Sequence, residues 1–137
     1  MLKTDCIHPE LLRILASCGH GDKLLIADGN YPFDSNVNKN AARIYLNLTR
    51  GIPLVTDVLK VLNNTISIEN IEVMIPDSGE EPSIFNEFRK ILDKGMELNK
   101  LGRFKFYEES KKDNIKMVIA TGEQRVYANI LVTIGIV

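Results

Sequence analysis

The chain has 137 residues and a net charge of −1 at pH 7, from 17 basic and 18 acidic residues. Hydrophobic residues make up 45% and charged residues 26%, which is near the average for a globular protein and sufficient for one buried core. This even balance of charge disfavours a nucleic-acid or anionic-membrane partner, because no strong field would attract either. We expect a single domain spanning residues 1–137.

The cysteines and the N-terminus indicate the compartment. Cys6 and Cys18 form no CxxC pair, and no cluster of Cys and His has the spacing of zinc ligands. We therefore expect two free thiols and no metal. The opening MLKTDCIHPELL lacks the apolar run of a signal peptide, and no stretch approaches the ~20 apolar residues that span a bilayer. These features predict a cytoplasmic protein.

The first half of the chain predicts two helices and two strands. A proline suits the first position of a helix, and one such helix is predicted at Pro9 to Cys18. The apolar run KLLIAD, Lys23 to Asp28, is bounded by glycines and predicts a buried strand. A second strand is predicted at Arg43 to Leu48, and a second helix at Pro53 to Leu62.

The second half continues this alternation. Ile68 to Ile75 has the period of a strand with one buried face, and a helix is predicted from Pro82 to Gly95. A weaker pattern predicts a helix at Arg103 to Lys112. The β-branched segments Ile115 to Ala120 and Asn129 to Ile134 predict the last strands. Strands alternating with helices favour a three-layer α/β/α domain around a central β-sheet.

The turn Gly19-His20-Gly21-Asp22 is the first candidate for chemistry. Glycines on both sides allow a tight turn and the close approach of a ligand. His20 is suited to proton transfer, since its ordinary pKa lies near neutrality. The alternative is a polar histidine at the end of a helix.

Asp28 is the second candidate, because it stands where the KLLIA strand should end. Ligands of open α/β sheets bind beyond the carboxyl ends of strands. The alternative is a simple Asp-Gly turn, in which the carboxylate caps backbone N–H groups.

The segment between the last two strands is the third candidate. It offers Thr121-Gly122-Glu123 and Tyr127-Ala128-Asn129, whose hydroxyl, amide and backbone groups suit the recognition of sugar hydroxyls. The alternative is a polar hairpin loop. Arg103 taken alone is typical of a surface arginine on an amphipathic helix. No phosphate loop, dinucleotide fingerprint or nucleophile elbow occurs.

Several segments in the same order resemble the fucose mutarotase and ribose pyranase family. They are HPELLRILASCGHGDKLLIADGNYP, GIPLVTDVLKVL, RFKFYEESKK and TGEQRVYANILVTIGIV, which together cover nearly the whole chain. The resemblance implies an RbsD-like fold and a cofactor-free isomerase that interconverts cyclic forms of a free monosaccharide. It also implies a ring-shaped homodecamer whose sites are completed by a neighbouring subunit.

Carried over residue by residue, the resemblance implies that His20 is the proton donor. It implies sugar-binding positions at Asp28, Arg103, Tyr127, Ala128 and Asn129, with Asp22 and Glu123 as supporting residues. Whether Asp28 orients His20 or binds a sugar hydroxyl stays open.

The substrate is most consistent with L-fucose. GHGD, Arg103 and the FYEE stretch resemble the fucose branch, whereas Ala128 in YAN resembles the ribose branch, and Asn30 stands where the fucose branch often has histidine. The alternatives are a D-ribose pyranase, a non-catalytic sugar-binding accessory to a transporter, and a structural oligomer that binds nothing.

Overall fold

The computed structural model describes residues 1–137 and contains one six-stranded sheet with helices on both faces. In chain order the elements are α1 (Pro9–Leu15), β1 (Lys23–Ala27), β2 (Ala42–Tyr45), α2 (Val55–Asn63), β3 (Ile68–Ile75), α3 (Ile84–Ile91), β4 (Leu98–Gly102), α4 (Arg103–Ser110), β5 (Ile115–Ala120) and β6 (Ile130–Ile134). None of the four helices has the length and apolar character needed to cross a bilayer.

The strand order is β2-β5-β1-β6-β3-β4. Five strands run parallel to one another, and β6 alone runs antiparallel, between β1 and β3. Because β1 lies between β5 and β6, the segment that joins these two strands is not a hairpin loop, and that interpretation of residues 121–129 is wrong.

Alternate residues of the strands enter different cores, as the period of two requires. Leu24 and Ile26 of β1 pack under α1, α2 and α3 in the larger core. Leu25 and Ala27 face the other side, where Phe106 of α4 and the loop after β1 cover the sheet. The expected three-layer α/β/α architecture is therefore present.

The strands β3 and β5 begin and end at the predicted residues, whereas the helices are shorter than predicted. Helix α1 ends at Leu15 rather than Cys18, and α3 ends at Ile91 before the glycine that was expected to close it. Strand β4 was not predicted. Its sequence LNKLG has two exposed polar residues at its centre because it is an edge strand, so it lacks the apolar signal of the inner strands.

Candidate active site

The residues that follow the parallel strands lie together at the carboxyl-terminal end of those strands. Since β6 is antiparallel, the residues before it lie at the same end of the sheet as the residues after β1, β3 and β4. A cavity of about 200 Å³ opens there. Its lining consists of Asp28, Asn30, Tyr31, Met74, Arg103, Tyr107, Val126, Tyr127 and Asn129. Four of the predicted sugar-binding side chains thus share one cavity.

Asp28 and Asn129 form a reciprocal pair across 101 residues of sequence. The backbone N–H of Asp28 donates to Asn129 Oδ1 at 2.8 Å, and Asn129 Nδ2 donates to Asp28 Oδ2 at 3.0 Å. The backbone N–H of Asn30 donates to the other carboxylate oxygen, Oδ1, at 2.9 Å. These three bonds fix the carboxylate at the end of β1 before any ligand arrives.

The carboxylate of Asp28 is almost fully buried, with 2% of the residue exposed. Burial raises the pKa of Asp28, against hydrogen bonds from Asn30, Ala128 and Asn129 that favour the ionised form; the nearby Glu123 adds to the rise. The carboxylate has about four lone pairs, and the donors from Asn30, Asn129 and the backbone of Ala128 occupy three of them. The group can therefore accept one further hydrogen bond from a hydroxyl.

Arg103 is the first residue of α4, immediately after β4. Its Nε donates to the hydroxyl of Tyr107, one helical turn later, at 3.3 Å, and its guanidinium carbon lies 5.8 Å from the centre of that ring. Tyr107 packs edge-on against Tyr31, whose hydroxyl donates to the carbonyl of Asn36 at 2.9 Å. Arg103 lines the cavity, and its guanidinium N–H groups are donors that can bind ligand oxygens.

Tyr127 and Ala128 have different roles in the backbone before β6. Tyr127 has φ of +59°, a left-handed conformation that is rare for a bulky residue and often marks a functional site. The side chain of Ala128 is fully buried in the larger core and does not line the cavity. Ala128 contributes instead a backbone hydrogen bond to Asp28.

The buried carboxylate of Glu123 organises the loop before this segment. Arg125 binds it through Nε and Nη2, both at 2.9 Å, and also contacts Glu87 at 2.6 Å. Burial alone would raise the pKa of Glu123, but the hydrogen bonds and charge of Arg125 outweigh it and lower the pKa overall. The backbone carbonyl of Glu123 accepts the N–H of Gly29 at 2.8 Å. Glu123 therefore supports the loop and does not line the cavity.

His20 lies at the opposite end of the sheet, in the turn that precedes β1. The carboxylate of Asp22 accepts the N–H of Gly19 at 2.8 Å and closes this turn. Gly21 has φ of +83°, which only glycine adopts without strain. The imidazole Nε2 of His20 lies 2.8 Å from Oε2 of Glu69 at the start of β3.

Strand β1 separates His20 from Asp28 within one chain. The strand has five residues, each rising about 3.3 Å, so the Cα atoms at its two ends lie about 13 Å apart, and His20 and Asp28 lie outside these ends. Asp28 therefore does not orient the His20 of its own chain.

Sequence reasoning missed several residues of the two sites. In the cavity these are Asn30, Tyr31, Met74, Tyr107 and Val126. Tyr107 had a local signal, its position four residues after Arg103 in a helix. Glu69 had none, because 49 residues separate it from His20.

A second depression of about 380 Å³ adjoins the first at Asn30. Its lining contains no hydrophobic residue: Gly29, Asn30, Asn47, Thr49, Arg50, Thr121, Gly122, Glu123 and Gln124. Nowhere do three or more His, Cys, Asp or Glu side chains group together as metal ligands would.

The whole chain, residues 1–137, matches the family described as the RbsD / FucU transport protein family. It is 30% identical over 139 residues to a D-ribose pyranase of Clostridium perfringens, covering 100% of this chain and 99% of the relative. It is 34% identical over 140 residues to the human fucose mutarotase, covering 95% and 89%. Among solved structures, Bacillus subtilis RbsD complexed with D-ribose superposes with a TM-score of 0.86 at 28% identity, covering 100% and 99%.

Proposed function

Because the chain belongs to the RbsD/FucU transport protein family, we propose that it interconverts cyclic forms of a free monosaccharide, preferentially the anomers of L-fucose. The observation that carries this proposal is the meeting of Asp28, Arg103, Tyr127 and Asn129 around one cavity. These side chains offer a carboxylate, a guanidinium, a phenol and an amide, the donors and acceptors that sugar hydroxyls require. The cavity is smaller than the ~300–1,000 Å³ of sites for drug-sized ligands, which suits a single sugar ring.

The apolar part of the cavity wall favours a deoxy sugar as the substrate. Met74 and Val126 line it beside Arg103, and an apolar surface there can receive the methyl group of L-fucose. D-ribose has no such group. Ala128 resembles the ribose branch, but its side chain is buried in the core. The methyl group of Ala128 therefore does not select the sugar by direct contact.

The proposed reaction opens and recloses a hemiacetal. A base takes the proton of the anomeric hydroxyl while His20 gives a proton to the ring oxygen, and the bond from the anomeric carbon to the ring oxygen breaks. The resulting aldehyde rotates, and reclosure returns both protons. General acid–base catalysis of this kind contributes typically ~10²–10⁴-fold in rate, which is adequate for a reaction that also proceeds unaided.

A complete site requires two chains. Asp28 and His20 lie at opposite ends of β1, so a sugar held by Asp28 can reach only the His20 of another subunit. This geometry supports a homo-oligomer with sites at subunit contacts, and the family resemblance supports a ring of ten. The two free cysteines support a reducing compartment such as the cytoplasm.

Exchange NMR tests the proposal directly. Saturating one anomer's signal in L-fucose or D-ribose, with catalytic amounts of protein, measures transfer to the other cyclic forms. We expect L-fucose to exchange faster than D-ribose, and faster than its own protein-free rate. His20→Ala should abolish the enzymatic part while the fold is retained, because His20 packs little in its exposed turn.

Each other outcome selects a different function. Faster exchange of D-ribose would identify a ribose pyranase. Sugar binding without exchange would identify a non-catalytic accessory and contradict the proposal. Wild-type exchange by His20→Ala would remove His20 from the mechanism.

A further inference from the structure

The side chain of Glu69 is the hydrogen-bond partner of His20. Its Oε2 lies 2.8 Å from His20 Nε2, and the two side chains are 39% and 60% exposed. Exposed ion pairs contribute only about 0–1 kcal/mol to stability. The pair therefore does little to hold the fold together, and its importance lies in what it does to the imidazole.

The backbone places Glu69 beside His20 through the end of β6. The N–H of Gly21 donates to the carbonyl of Ile134, and the N–H of Ile134 donates to the carbonyl of Asp22, both at 2.9 Å. The next residue, Gly135, donates its N–H to the carbonyl of Ser67 at 2.9 Å. The histidine turn and the start of β3 are thus both hydrogen-bonded to the adjacent residues Ile134 and Gly135.

A side chain at Gly135 would be crowded by Glu69. A Cβ built on Gly135 would lie 3.0 Å from the Cβ of Glu69 and 3.3 Å from its backbone nitrogen. The backbone of Gly135 therefore lies close to the base of the Glu69 side chain, while the Glu69 carboxylate reaches the imidazole.

A carboxylate can only accept a hydrogen bond from the imidazole, so this contact requires the proton to be on Nε2. The other ring nitrogen, Nδ1, is then the one that exchanges its proton with a ligand. When Nδ1 is protonated, the carboxylate also stabilises the positive imidazolium.

We propose that Glu69 is the positioning residue of His20: it holds the ring with Nε2–H toward its own carboxylate and leaves Nδ1 to transfer the proton to the ring oxygen of the sugar. This inference rests on the proposed function. Glu69 acts through His20 and does not touch the sugar in this arrangement, so its loss should lower kcat and leave KM unchanged.

The test compares Glu69→Ala and Glu69→Gln with the wild-type chain, using L-fucose and D-ribose as the sugars. Alanine removes the acceptor, and we expect kcat to fall about 10–100-fold, within the ~10²–10⁴-fold contribution of acid–base catalysis. Glutamine keeps an acceptor oxygen without the charge, so its kcat should lie between the two. Glu97→Gln is the matched control, because Glu97 lines the same shallow surface depression as Glu69 but does not contact His20.

Long-range ¹H–¹⁵N spectra of the imidazole rings supply a second readout that does not need activity. In its neutral form, wild-type His20 should show the Nε2–H tautomer, and Glu69→Ala should show a mixture. His8, the other histidine of the chain, accepts the N–H of Leu11 at Nδ1 and should be unchanged in every variant. Circular dichroism verifies that each variant is folded.

The outcomes separate this inference from the proposed function. A wild-type chain that exchanges neither sugar would defeat the proposed function. If the wild-type chain exchanges a sugar and Glu69→Ala keeps its kcat, Glu69 is not the positioning residue. Loss of kcat with unchanged His20 ring signals would also overturn the inference, because Glu69 would then act by another route.

Discussion

At the scale of single residues, the pairing of Asp28 with Asn129 depends on their chemical difference. The carboxylate accepts from the backbone of Asn30 and from the amide of Asn129, while that amide's oxygen accepts the backbone N–H of Asp28. Each of these three bonds joins an N–H donor to an oxygen acceptor. Exchanging the two side chains preserves this match, whereas changing either one alone breaks it.

Asp28→Asn should reduce the free energy of unfolding by about 1–3 kcal/mol, because two donors then converge on an amide that has only one oxygen. The double variant Asp28→Asn/Asn129→Asp should recover most of this loss, since the amide at position 28 can donate to the carboxylate at 129. Urea denaturation followed by circular dichroism measures the three values. Strictly additive effects would contradict the reciprocal pair. Sugar exchange should stay lost in the double variant, because the carboxylate has moved.

Asn129→Asp alone should make stability depend on pH. Two carboxylates would then lie at hydrogen-bond distance in a buried site, which raises the pKa of the pair in the folded state. The stabilising proton is present in full below the ordinary Asp pKa of about 3.9, and its contribution is lost as pH rises through the raised value. Urea midpoints should therefore fall between pH 4 and 8 more steeply than those of the wild type. An unchanged slope would show that the carboxylates do not meet.

At the scale of elements, the sequence predicted those strands whose residues are buried on both faces or alternate clearly. The bounds of β3 follow from its alternation and those of β5 from its β-branched residues, and the predicted end of β1 located Asp28. The neighbours of each strand were not predictable, because insertion of β6 between β1 and β3 depends on contacts distant in sequence. Asn129 could therefore be assigned to the site by resemblance but not joined to Asp28.

The loop between β5 and β6 contains a glycine that no other residue can replace without movement of the backbone. A Cβ on Gly122 would overlap the carbonyl oxygen of Thr49 and lie 2.6 Å from the nitrogen of Ile52. Gly122→Ala should cost about 1–3 kcal/mol in the free energy of unfolding. Gly19→Ala is the control and should cost little, since no atom lies within 4 Å of its Cβ. Equal thermal midpoints for the two variants would contradict the close contact.

At the scale of the whole molecule, candidate functional residues lie at both ends of β1. The cavity around Asp28 lies at the carboxyl-terminal end of β1, and the pair of His20 with Glu69 lies at its amino-terminal end. The strand predicted at Lys23 to Asp28 already implied this separation, although His20 and Asp28 are only eight residues apart along the chain. An extended strand between two residues sets them far apart, whatever their closeness in sequence.

Sedimentation velocity should show one species much heavier than the 15.4 kDa chain at micromolar concentration. The expectation follows from the proposal that His20 and Asp28 of different chains form one site. Separated subunits, obtained by dilution, should lose sugar exchange. A fully active monomer would contradict the shared site.

If each chain contributes to two different sites, as proposed, two inactive variants should complement each other, because the length of β1 separates His20 from Asp28. His20→Ala keeps the Asp28 cavity intact, and Asp28→Asn keeps the pair of His20 and Glu69 intact. When equal amounts are unfolded together and allowed to reassemble at random, about one site in four should receive both functional halves. Exchange of L-fucose should then reappear at roughly that fraction of the wild-type rate, although neither parent shows any. Continued inactivity of a mixture that has demonstrably co-assembled would mean that each chain works alone.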